Sequence, residues 1–248
     1  MIKSAMAEKL WSKLEKTLVN NGKAFISVTG GGGKTTFLVS FSSYLKSLGY
    51  SVLITTSTKL ASPFSFDYKV DGIFLSPSII NYWPKKGESV FYGSYNEALG
   101  KTTAPPSSMV SLLYDRYDVV IVEADGSRRL PLKIHTQRDP VIWKPTTAIV
   151  AVSGLWAYGK PIKQSVFGPE EKSGLVDKSY YEYLIGEPEG MAKGMSLHTD
   201  NVFLFNGGDV VEERVRKEMK TLSLPYSSFG FIVSMNKDEI YETLCGLQ

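Results

Sequence analysis

Residues 24–41 read AFISVTGGGGKTTFLVSF, and the reading of this stretch decides the fold. A short apolar run with Phe25, Ile26 and Val28 ends in Thr29 and four consecutive glycines, Gly30, Gly31, Gly32 and Gly33. Lys34, Thr35 and Thr36 follow at once, and then comes an apolar segment of helix length, residues 37–48. Strand, glycine loop, Lys-Thr, helix is the order that a phosphate-binding loop requires. Glycines reach backbone angles closed to other residues and put no side chain in a ligand's way. Successive N–H groups can then converge on phosphate oxygens, and the start of the helix adds free donors and the positive end of its dipole. Lys34 offers a mobile ammonium to the outer phosphates, and the Thr35 hydroxyl can ligate Mg²⁺. A chance glycine linker ahead of Lys-Thr-Thr would leave the flanking strand and helix patterns unaccounted for.

The loop is a variant. The spacing G-x-x-x-x-G-K-[ST] puts its first glycine at position 28, where Val28 stands. The compact T-G-x-x-G-K-T-T loop of Mur-type ligases fits residues 29–36 throughout. The K-G-G-x-G-K-T-T loop of ParA/MinD-like ATPases fits except at its first lysine, where Thr29 stands.

A second strand is expected at residues 51–56, so that strand, helix and strand form a βαβ unit with a parallel sheet. It ends in Thr55-Thr56-Ser57-Thr58-Lys59. Ligands of open parallel sheets lie at the carboxyl ends of strands, which places Thr56, Thr58 and Lys59 beside the loop as nucleotide or Mg²⁺ contacts. Ordinary β-propensity accounts equally for a Thr-rich strand. Further on, Asp118-Val-Val-Ile-Val-Glu123-Ala-Asp125-Gly126 is an apolar run ending in acids. Such a strand can carry a carboxylate to Mg²⁺ and to an attacking water. Glu123 and Asp125 share one side of an extended chain. Which of them serves the metal and which the water is open, and Asp125 before Gly126 also suits a turn. Arg128 and Lys133 follow, as phosphate-facing cations or as solvated surface. His135, a lone histidine, reads as structural.

Around these motifs, residues 4–20 read as an amphipathic helix with Leu10, Trp11, Leu14 and Leu18 on one face. Residues 61–106 read as an irregular, proline-rich insertion with a small β element at 72–75 and 89–92, either the wall of a second-substrate pocket or simple packing. Residues 107–114 form a helix capped by Ser107 or Ser108, and 146–152 a buried strand. Two short helices are expected over 170–185 and a strand over 201–205. That strand ends in Asn206-Gly207-Gly208-Asp209. Asn206 and Asp209 could read a guanine base, although Gly207 stands where a stacking lysine belongs; turn chemistry with Asp209 as a helix cap is the other reading. A helix over 210–222, a strand over 230–234 and a last helix over 238–244 complete the chain.

The 248 residues suit a single P-loop α/β domain over 1–248, with the insertion at about 61–106. The expected fold is a three-layer P-loop NTPase-like domain with a mostly parallel sheet of five or six strands. A net charge of +3 gives no reason to invoke nucleic acid or a membrane. Cys245 is the one cysteine and reads as passive, which excludes a disulfide framework. The chain has neither a long apolar run nor a secretory leader, so a cytoplasmic protein is expected.

GGGGKTT, TTSTK, VEADGSRRLPLK, then Val152-Ser-Gly154-Leu155 with Gly159-Lys160-Pro161, follow one another in order. Together they resemble the YqeC family, accessory proteins of selenium-dependent molybdenum hydroxylases. The resemblance runs from about residue 25 to 209, and the E-A-D-G…P-L-K segment with a later G-K-P is its selective part. It implies nucleotide binding by the glycine loop, Lys34 and Thr35, with Thr56, Thr58 and Lys59 at the site and Glu123, Asp125, Gly126 and Lys133 as a second cluster. It also implies a role in maturing a molybdenum enzyme or its cofactor. The chain departs from the family where a His-Arg pair is common: it reads Val166-Phe167-Gly168-Pro169-Glu170.

The expected activity is Mg²⁺-dependent binding and hydrolysis of ATP or GTP, with Lys34, Glu123 and Asp125 as the reacting groups. A nucleotide-dependent binding module without turnover is one alternative. A Mur-ligase-like enzyme that activates a carboxylate is the other.

Overall fold

A computed structural model of the chain describes residues 9–170 and 172–245. Residues 4–8 of the expected first helix and the side chain of Cys245 fall outside that description. In chain order the elements are α1 (Leu10–Leu18), β1 (Ala24–Gly30), α2 (Lys34–Ser47), β2 (Val52–Thr56), β3 (Lys59–Ala61), β4 (Gly72–Phe74), β5 (Ser89–Tyr92), β6 (Ser94–Asn96), β7 (Lys101–Thr103), α3 (Ser107–Tyr114), β8 (Val119–Glu123), β9 (Leu132–Lys133), β10 (Ala148–Gly154), α4 (Ile162–Ser165), β11 (Val166–Phe167), α5 (Lys178–Gly186), β12 (Asp200–Asn206), α6 (Glu213–Met219), β13 (Phe229–Ser234) and β14 (Glu239–Cys245).

Nine of these strands form one sheet in the order β14-β13-β12-β10-β1-β8-β2-β5-β4, parallel except for the antiparallel β13–β14 pair. β1 lies between β8 and β10 and is buried along its whole length, as a strand covered on both faces must be. Its alternation sorts the core into layers. Ala24, Ile26 and Val28 pack with Leu10, Trp11 and Leu14 of α1 and Phe37, Leu38 and Phe41 of α2. Phe25 points to the other face, where α3 covers one part of the sheet and α5 with α6 another. The result is an α/β architecture with helices on both faces of a large, mostly parallel sheet. Among the described residues no helix is long and apolar enough to cross a membrane.

Several expectations need correction. The sheet has nine strands where five or six were expected. The runs at 72–74 and 89–92 are no separate β element: as β4 and β5 they extend the main sheet in parallel from β2. Elsewhere in the insertion a small antiparallel sheet forms from β3, β7 and β6. Residues 239–245 are strand, since β13 offers a free edge and Ile240 and Tyr241 pack into the cores on opposite faces. The helix expected over 210–222 is confined to α6, because the Gly207 and Gly208 N–H groups both bond the Val233 carbonyl and hold the preceding turn. One helix, α5, replaces two; the Asp177 side chain caps it by accepting from the Tyr180 N–H. Neither serine caps α3, whose cap position is Pro106.

Candidate functional site

The glycine loop leaves the end of β1 and enters α2. A methyl group on Gly30 would lie 2.2 Å from the Val152 carbonyl oxygen, and one on Gly32 would lie 2.3 Å from the Gly154 nitrogen. The glycines are therefore required by the end of β10 as well as by any ligand. Three of their N–H groups are used within the protein. Gly30 donates to Asp125 Oδ2 (2.8 Å), Gly31 to the Val152 carbonyl (2.9 Å) and Gly32 to the Leu130 carbonyl (3.2 Å). The helical bonding of α2 begins with Phe37 N–H to the Gly33 carbonyl (2.9 Å), so the N–H groups of its first turn, Lys34 to Thr36, have no helical partner.

Lys34 is buried. Its ammonium lies 2.9 Å from Asp125 Oδ1 and 3.3 Å from Ser127 Oγ, and it donates to the Gly30 carbonyl. The Thr35 hydroxyl points at Glu123, 3.4 Å from Oε2. Parallel register explains the meeting: Val28 of β1 pairs with Glu123 of β8, so the acids emerge beside the loop. The two acids then differ in surroundings. Burial pushes the Glu123 carboxyl from its ordinary 4.5 up to about 7; Lys34 opposes the rise and Asp125 adds to it. Burial would raise Asp125 as well, but Lys34, a hydrogen bond from His135 and Lys133 together hold it well below the usual carboxylate range.

His135, read from the sequence as structural, is part of this cluster as a bracing residue. It is fully buried, with Nε2 2.7 Å from Asp125 Oδ2 and Nδ1 2.9 Å from the Gly190 carbonyl. A carbonyl only accepts, so Nδ1 is the donor there. A lone histidine ten positions after the acid carries no sequence signal for this contact. Asp139 was missed in the same way: it pairs with Lys133, which also donates to the Gly126 carbonyl (2.6 Å) and lies 3.8 Å from Asp125.

The remaining expected residues scatter around this centre. Thr56 is buried, and its hydroxyl is committed to the Glu123 carbonyl (2.9 Å), which ties the tip of β2 to β8. Thr58 Oγ1 is buried without a partner, and Lys59 is exposed on β3. Asn206 braces the loop from the other side: Nδ2 donates to the Gly32 carbonyl (3.0 Å), while Oδ1 accepts from the Met235 N–H (3.2 Å). Asp209 is engaged with Lys237 at 3.4 Å. Arg128 and Arg129 are exposed, in the left-handed region at φ 47° and 66°, and the Arg128 guanidinium lies 5.2 Å from the centre of the Phe167 ring.

Fold and site together define an α/β protein in which a glycine loop between a central strand and its helix meets two buried carboxylates. A family model described as YqeC protein matches residues 26–170, and the chain belongs to that family. It is similar to an uncharacterized protein YqeC of Escherichia coli strain K12, 33% identical over 132 residues, which are 52% of this chain and 51% of that protein. The chain thus aligns with about half the length of the curated relative. No solved structure matches.

Proposed function

We propose that the chain is a P-loop NTPase-like protein that binds a nucleoside triphosphate, ATP or GTP, with Mg²⁺ and hydrolyses it. The observation that carries this reading is the meeting of Lys34 and Thr35, at the start of α2, with Glu123 and Asp125 at the end of β8. The residues suit Mg²⁺: the Thr35 hydroxyl and the Glu123 carboxylate are hard oxygen donors 3.4 Å apart. When bound, the ion offsets charge on the phosphate oxygens.

The acids divide the work. Asp125 is held by Lys34, His135 and the Gly30 N–H, so it positions the loop and its lysine. Glu123 is the acid left to meet the metal or the water. With no metal beside it, burial puts the Glu123 carboxyl at about 7, which suits proton transfer at neutral pH; as a direct metal ligand it would be held lower. In hydrolysis the water oxygen forms a bond to the γ-phosphorus, the bond to the oxygen bridging to the β-phosphate breaks, and the proton of the water passes to Glu123. The products are nucleoside diphosphate and phosphate. Asn206 and Asp209 remain the candidates for base contacts, and Asp209→Ala should erase any preference for GTP.

Calorimetric titration with ATP and GTP analogues that resist hydrolysis, with and without Mg²⁺, tests the site. Thr35→Ala should weaken Mg²⁺-dependent binding by roughly tenfold. Binding that ignores both Mg²⁺ and this substitution would reject the assignment. Glu123→Gln should slow phosphate release by roughly a hundredfold or more. A role in maturing a selenium-dependent molybdenum hydroxylase, or its cofactor, rests on the family. Its test is hydroxylase activity in cells whose only copy carries Thr35→Ala, and full activity there would reject it.

A further inference from the structure

A cavity of about 560 Å³ opens beside the acids, one strand beyond them, where β2 ends. That volume suits a small molecule. Thr58, Gly126 and Phe167 line it, and Lys59 and Arg138 stand on it as exposed cations. Neither cation has an acidic partner among the described residues. Asp139 also reaches the cavity, but its carboxylate is taken up by Lys133 and by the N–H and hydroxyl of Thr136. The Arg128 guanidinium lies 5.2 Å from the centre of the Phe167 ring and adds positive charge to the same wall, whereas Lys133, 5.4 Å from that centre, is neutralised by Asp139.

The cavity is built onto the acid-bearing strand. The Ser57 N–H and the Thr56 hydroxyl both bond the Glu123 carbonyl (3.1 and 2.9 Å), and Gly126 is tied through Lys133 to Asp125. Asn206, the residue considered for base contacts, lies on the opposite side of β1, at the end of β12. The outer phosphates of a nucleotide in the loop would face the acids, and the cavity lies beyond them.

We propose that this cavity is the site of a second, small ligand with a flat apolar body and one oxyanion, a carboxylate or a phosphate. The oxyanion is held by Lys59 and Arg138, and the body lies against Phe167. As the site of an acceptor beside the outer phosphates, it rests on the nucleotide reading of the loop; as an anion site, it stands on its own cations.

The test uses 8-anilinonaphthalene-1-sulfonate, a fluorescent aromatic anion, titrated into the full chain. Saturable enhancement at one site is expected, weakened roughly tenfold by Lys59→Ala and by Arg138→Ala. Both residues are exposed, so neither substitution threatens the fold. Benzoate and phenyl phosphate should displace the probe and benzyl alcohol should not; the stronger of the two anions identifies the oxyanion. Equal probe binding by both variants, or displacement by benzyl alcohol as good as by benzoate, would overturn the proposal. So would competitive displacement by Mg²⁺ and an ATP analogue, because the cavity would then be the nucleotide's own. Separate titration of nucleotide keeps the two readings apart: probe binding without nucleotide binding rejects only the loop assignment, and the reverse rejects only the cavity.

Discussion

Glu123 and Asp125 are two positions apart, yet their surroundings drive them in opposite directions, and each direction has a measurable consequence. Glu123 keeps its proton in the fold up to about pH 7, whereas the unfolded chain releases it near 4.5. The folded state therefore binds more protons in that window. The contribution of this group to stability is full below about 4.5 and is lost as pH rises toward 7, on the order of 3 kcal/mol in all. Glu123→Gln removes the titration, so melting temperature followed from pH 5 to 8 should fall less steeply in the variant. Equal slopes would mean that Glu123 titrates normally. Asp125 has the opposite sign: its lowered value makes its contribution present above the usual carboxylate range and lost as pH falls below it. Asp125→Asn leaves Lys34 and Lys133 buried with reduced compensation, and it should cost about 3–5 kcal/mol in urea unfolding. Lys34→Ala carries the converse defect. A loss of nucleotide binding in that variant is therefore informative only when its melting temperature is measured beside it.

At the scale of elements, the glycine loop answers to its neighbours as much as to a ligand. Gly22 and Gly32 both have positive φ, 76° and 71°, but an added methyl at Gly22 meets nothing within 4 Å, while at Gly32 it strikes the Gly154 backbone. Gly22→Ala should cost about 1 kcal/mol and Gly32→Ala roughly 2–4 kcal/mol in denaturant unfolding. Similar values would show that backbone strain alone sets the demand for glycine. This pair also explains what a sequence can disclose. The GGGGKTT run and the apolar strand before it are local patterns, so β1 and α2 could be read from them, and the apolar run ending in Glu123 and Asp125 is a second such pattern; only the fold brings the two together. The contact of the loop with β10 and with the Leu130 and Pro131 carbonyls is long-range and leaves no local trace. The same holds for β14. Its sequence mixes strand formers (Ile240, Tyr241, Thr243) with helix formers (Glu239, Glu242, Leu244), and pairing with β13 settles it as strand where a short helix was expected. β4 and β5, of three and four residues, are too short for their periodicity to betray that they extend the main sheet.

Across the whole molecule, the candidate site is held together by parts distant in sequence: the end of β1, the acids of β8, the end of β10, the Leu130 carbonyl and Asn206 of β12. A ligand that binds this assembly and not the unfolded chain must stabilise all of it at once. At a free concentration one hundred times its dissociation constant, the gain is about 2.7 kcal/mol. For a chain of this size each kcal/mol moves the melting temperature by roughly 2–4 °C, so an upward shift of about 5–10 °C is expected with Mg²⁺ and the preferred triphosphate analogue. The shift should shrink without Mg²⁺ and in Thr35→Ala, whose loss removes one donor to the metal and no buried packing. It should persist in Lys59→Ala, because that cation belongs to the neighbouring cavity. A melting curve in which the analogue moves only part of the transition would mean that the halves of the sheet on either side of β1 unfold separately, and that the site joins them only when filled.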